Sequence, residues 1–82
     1  MRYAIIIERG KRNYSAYVPD VPGCIAAGQT LAEVKHQLKE ALEFHLEGML
    51  LDGESIPCPS TECSYVSINR AKLDKGLREK PR

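Results

Sequence analysis

The hydrophobic pattern along this chain changes period near residue 30, from alternation to a spacing of three and four. Residues 3–8 read as a strand, and Ile5, Ile6 and Ile7 put apolar groups on both of its faces, as in a central strand covered on two sides. Gly10 and Asn13 supply a turn with residues suited to positive φ, and residues 14–18 return as a second strand, completing a hairpin. Pro19 and Pro22 then force the chain out of the ladder, since proline lacks an N–H donor, and Gly23 permits a sharp turn into a third short strand at 24–28.

Thr30-Leu31-Ala32-Glu33 has the form of a capping box, with the Thr30 hydroxyl accepting from the Glu33 N–H. Leu31, Val34, Leu38, Ala41, Leu42, His45 and Met49 follow as one apolar helical stripe expected to lie on the sheet. The opposite face carries Glu33, Gln37, Glu40, Phe44 and Glu47, with Lys39 and Glu43 spaced as an i, i+4 pair. Gly48 or Gly53 marks the helix end. Loop formers fill 52–61, Pro57 and Pro59 stiffen them, and residues 63–68 alternate as a last strand. The order predicted is β-β-β-α-β: a single α+β domain, mainly antiparallel sheet with one helix on one face, the other face left for a partner or a second copy.

Eighty-two residues suffice for one small core, and 43% hydrophobic with 28% charged residues is a globular balance that argues against disorder. A core this small makes a homodimer or homotetramer a reasonable expectation. The net charge of +1 conceals an asymmetry. Residues 1–69 hold six Lys or Arg against nine Asp or Glu, a balance of −3, and residues 70–82 hold six against two, a balance of +4. We therefore divide the chain into a domain at 1–69 and a basic C-terminal tail at 70–82, expected to be solvated and frayed or at most a short basic helix or arm. An acidic body is a poor match to a nucleic-acid-binding fold. No segment reaches the ~18–20 apolar residues of a membrane span, and Glu8-Arg9 interrupts the N-terminus too early for a signal peptide. Three cysteines, an odd number, suit a reduced compartment, and a cytoplasmic protein is expected.

Candidate chemistry is sparse. His36 and His45 are the only imidazoles, and neither stands beside a nucleophile motif. Cys24, Cys58, Cys63 and a histidine could supply a zinc site, but there is no C-x2-C knuckle, and Cys24 reads as filler of a small buried gap. Asp20, Glu33, Asp52 and Glu54 could form the acidic group of a metal-dependent nuclease, although cap and turn roles account for them. Phosphate-cradling glycine motifs are absent, so neither metal nor cofactor is expected. What remains is surface: Tyr17, Pro19, Val21 and Pro22, with Asp20 among them, form an aromatic and rigid apolar stretch suited to recognition, and Phe44 stands on the acidic helix face.

The run Tyr17-Val18-Pro19-Asp20-Val21-Pro22-Gly23-Cys24, the Gly28-x-Thr30 entry to the helix, and Ile56-Pro57 after the acidic turn together resemble the HicB-like antitoxin family. The resemblance covers most of residues 1–68. It implies a partial ribonuclease H-like fold without enzymatic activity, and binding to a small basic HicA-type toxin that cleaves mRNA, by covering its RNA-facing surface and catalytic histidine. Glu40, Glu43 and Glu47 could attract such a cationic partner, and Tyr17, Pro22 or Phe44 could hold it. Many family members carry a C-terminal ribbon-helix-helix or helix-turn-helix segment that binds operator DNA. Only 69–82 follows the last predicted strand, so DNA binding and autoregulation are not expected of this chain. The competing readings are a free-standing RNA-binding module, which would depend on the tail, and the nuclease.

Overall fold

The computed structural model describes residues 1–79, so Lys80 to Arg82 of the expected tail lie outside the described residues. Three strands, β1 (Ile6–Arg9), β2 (Tyr14–Tyr17) and β3 (Ile25–Gly28), pair antiparallel in the order β1-β2-β3. The long helix α1 (Leu31–Leu51) follows, and a second helix, α2 (Arg70–Glu79), ends the described chain.

The predicted capping explains the start of α1. The Thr30 hydroxyl accepts from the Glu33 N–H at 3.0 Å, and the Glu33 carboxylate reaches back to the Gln29 N–H at 3.2 Å. The helix ends at Asp52, where Gly53 takes a positive φ of 76° that other residues would resist; Gly48 lies inside the helix.

Alternation fixes the two faces of the sheet. Ala16 is buried and Tyr14, Ala26 and Ile7 pack on the core from the helix side, so Ile6, Tyr17 and Ile25, mutual register partners, share the opposite face. The core is Ala16, Val18, Val21, Cys24, Val34 and Leu38, with Ala41, Leu42 and Leu46 closing its edge. Gly28 lets the helix approach: a Cβ there would stand 2.7 Å from the Val34 amide nitrogen. The proline-rich loop between β2 and β3 is closed by Val18 N–H to Cys24 carbonyl at 3.2 Å, and Gly23 turns it with φ 85°.

Two expectations differ from the structure, and a third, the form of the tail, is resolved by it. The first hairpin turn closes through the Gly10 N–H and the Asn13 carbonyl at 2.8 Å, with neither residue at positive φ. Residues 63–68 form no strand: alternation shows that a segment can enter a ladder, but this one is exposed and pairs with none. The start of the basic tail is helical, because Asn69 caps it, its side chain accepting from the Lys72 N–H at 3.3 Å, and Arg70 pairs with Asp74 one turn on at 3.4 Å. No helix among the described residues is long and apolar enough to cross a membrane.

Candidate functional site

The candidate residues fall on two opposite surfaces. On the sheet face turned away from α1, Tyr17 stands between Ile6 and Ile25 in one cross-strand row, with Tyr17 40% and Ile25 70% exposed. Pro22 is exposed at the loop that joins their strands, and Pro19 is half-buried. Val21 is only 1% exposed and belongs to the core, so a partner cannot touch it without opening the fold. Ile25 escaped the sequence reading, although its place one residue after buried Cys24 puts it on the outer face by alternation alone.

The second surface is the outer side of α1. Glu40, Phe44 and Glu47 follow one another at helical spacing, with Glu43 beside them, and all four are exposed, Phe44 at 80%. Leu51, one turn beyond Glu47, extends the apolar part. His36 Nε2 lies 3.1 Å from a Glu40 carboxylate oxygen and Glu43 lies 3.9 Å from Lys39 Nζ; both pairs are solvent-exposed and hold the carboxylates weakly. A large exposed ring ringed by carboxylates is a contact suited to a cationic, partly apolar surface. Because α1 lies between this surface and the sheet, one small partner cannot cover Phe44 and Tyr17 together.

Asp20 has a different task. Its Oδ2 accepts from the backbone N–H groups of Ser60 at 2.8 Å and Thr61 at 3.0 Å, and its Oδ1 from their hydroxyls at 3.1 and 2.6 Å. The Thr61 hydroxyl, the Thr61 amide and the Ser60 amide hold the carboxyl well below the usual carboxylate range. The Tyr3 hydroxyl donates to the Pro57 carbonyl, a second fastening of the same loop.

The acidic residues weighed for a nuclease are thereby dispersed: Asp20 clasps the loop, Glu33 caps α1 and Asp52 ends it. Among the described residues no three of His, Cys, Asp and Glu gather as metal ligands. Cys24 is buried, which pushes its thiol pKa up, whereas Cys58 and Cys63 are exposed. His45 is half-buried in the apolar stripe and His36 is on the surface.

Known proteins match this arrangement. The model of a family described as HicB-like antitoxin of bacterial toxin-antitoxin systems matches residues 3–74. An uncharacterised 14.9 kDa protein of Haemophilus phage HP1 is 53% identical over 67 residues, which are 82% of this chain and 50% of the phage protein; the chain thus spans half the length of that relative. A UPF0150 protein of Thermoplasma acidophilum is 33% identical over 63 residues, covering 76% of this chain and 91% of its own length. Among solved structures, a chain of a HicA3 and HicB3 toxin-antitoxin complex superimposes with a TM-score of 0.63 at 32% identity, over 73% of this chain and 70% of that one.

Proposed function

The chain belongs to the HicB-like antitoxin family, and we propose that it is a non-catalytic antitoxin that binds and neutralises a small basic HicA-type mRNA-cleaving toxin. The observation that carries this reading is the likeness, at 32% identity and a TM-score of 0.63, to a chain of a solved toxin-antitoxin complex. The acidic outer side of α1 supplies the physical complement: Glu40, Glu43 and Glu47 steer a cationic toxin toward the body, and desolvation of Phe44 and Leu51 holds it there. The toxin's RNA-facing surface is the part of a basic ribonuclease most strongly drawn to such a face, so docking there excludes RNA.

The row Ile6–Tyr17–Ile25, of which Tyr17 and Ile25 are exposed and Ile6 half-buried, with exposed Pro22 near its end, supports a second placement of the toxin, on the open sheet face. Co-expression of the tagged chain with the short basic protein of the adjacent reading frame tests the reading. Retention of that protein on the tagged chain, together with restored growth, supports it; growth arrest without complex formation counts against it. Phe44→Ala and Tyr17→Ala then separate the placements, since only the variant on the docking face releases the toxin.

A further inference from the structure

Two glycines of this chain bear on helix α1, and the chain itself uses only one of them. Gly28 lets β3 and α1 touch, since a Cβ there would stand 2.7 Å from the Val34 amide nitrogen. Gly48 lies inside α1, where glycine weakens a helix more than any residue but proline. A Cβ at Gly48 would meet nothing within 4 Å, so no contact within the chain requires its absence. The missing side chain instead leaves a cleft of about 350 Å³ beside Phe44, lined also by His45, Gly48, Met49, Asp52 and Glu54. A glycine whose gap no part of its own chain fills suits the close approach of a group from outside.

The walls of the cleft state what that group must be. Phe44, Gly48 and Asp52 recur at intervals of four residues, so the ring, the gap and a carboxylate lie in one row along the helix. The exposed Phe44 ring and half-buried Met49 give apolar sides. At Gly53 the chain doubles back, and the Glu54 N–H donates to the Met49 carbonyl at 2.8 Å, which folds Glu54 over the helix end beside Asp52. Both carboxylates are exposed, and neither has a hydrogen bond or ion pair among the described residues. The last turn of α1 holds no basic residue, so no side chain of its own offsets the negative end of the helix dipole.

We propose that this cleft receives one arginine side chain of the partner, its stem along Phe44 and Met49 and its guanidinium forked between Asp52 and Glu54 above Gly48, an anchor that rests on the reading of the partner as a basic protein. An arginine stem lies along apolar surface, and its planar head presents five donors that match two carboxylates at once. A lysine ammonium is a hydrated point charge without that fork, and an acidic side chain meets like charge. Arginine desolvated in a pocket is among the residues that most often dominate an interface, so the cleft adds one defined contact to the general attraction of the acidic face.

Two measurements on the full chain separate this anchor from the antitoxin reading. In the first, N-acetyl-arginine methylamide is titrated into the nitrogen-15-labelled chain. The amide signals of Gly48, Met49, Gly53 and Glu54 should move saturably at millimolar concentration, and the lysine counterpart should bind more weakly. Gly48→Leu fills the cleft with a better helix former, so helix content and melting temperature should hold while the arginine-induced shifts disappear. In the second, Gly48→Leu and the pair Asp52→Asn with Glu54→Gln should each weaken binding of the toxin of the adjacent reading frame about 30-fold. Absent shifts, equal shifts with arginine and lysine, or shifts that survive Gly48→Leu overturn the proposal. So does a toxin held equally by the wild type and both variants, a result that leaves the antitoxin reading standing. A toxin that binds none of these chains removes the antitoxin reading, and the arginine titration then decides the cleft alone.

Discussion

Asp20 and Thr61, 41 positions apart, are joined twice: the Thr61 N–H reaches Oδ2 at 3.0 Å and its hydroxyl reaches Oδ1 at 2.6 Å. Ser60 adds two more bonds to the same carboxylate, which thereby ties the loop after α1 to the loop between β2 and β3. A residue that reads in sequence as a partner contact or a metal ligand also fastens the loop after α1 to the body.

The clasp predicts a pH response with a definite sign. The folded carboxyl lies below its ordinary 3.8, so its stabilising effect is fully present above that value and is lost as pH falls through the folded pKa. NMR titration should give an Asp20 midpoint below 3.8, and Asp20→Asn should speed hydrogen exchange at the Ser60 and Thr61 amides at neutral pH while the α1 amides stay protected. A midpoint at or above 3.8 would show that the clasp does not form in solution.

Gly28 faces the backbone of α1, so a methyl group there cannot be accommodated by turning a side chain. Gly28→Ala forces sheet and helix apart and should cost about 1–3 kcal/mol, the usual range for overpacking. Thermal melting should fall by about 4–8 °C per kcal/mol for a domain of this size. Gly48→Ala, with open space around the added carbon inside a helix, should be neutral or stabilising.

Leu38 and Val34 are the helix residues most deeply set in the core. Leu38→Ala should destabilise by about 2–5 kcal/mol, a large part of the ~5–15 kcal/mol that holds typical domains together. Urea unfolding should show the midpoint fall. Leu51→Ala, at an exposed position, should leave it within about 0.5 kcal/mol.

On the α1 surface, the charges and the ring should separate kinetically. Glu43→Lys with Glu47→Lys should slow association with the basic toxin and flatten its salt dependence. Phe44→Ala should act on dissociation, with a loss of about 2 kcal/mol or some 30-fold in affinity if it is an anchor. Surface plasmon resonance at two salt concentrations resolves both.

What the sequence revealed follows from how local each signal is. Thr30 and Glu33 lie three positions apart, and the Val34–Leu38 stripe is complete within one turn, so capping and the buried face of α1 were readable directly. The Asp20 clasp is not, because nothing near Asp20 signals a partner 40 positions away. Residues 63–68 depart from their pattern for a related reason: alternation records competence for pairing, whereas the neighbour is a matter of tertiary or quaternary contact. For α2, the charge sum drew attention to the basic side chains, while the Asn69 cap and the Arg70–Asp74 pair were the local evidence for a helix. Of the recognition residues, Tyr17 and Phe44 do reach the surface; Val21 does not, since a loop residue between prolines can still turn into the core.

The most direct test of the account is an mRNA cleavage assay with the purified toxin of the adjacent reading frame. One equivalent of the chain should abolish cleavage, and the combination of Phe44→Ala with Glu43→Lys and Glu47→Lys should restore it at the same concentration while the variant remains folded. Cleavage that continues undiminished at saturating wild-type chain would contradict the antitoxin reading.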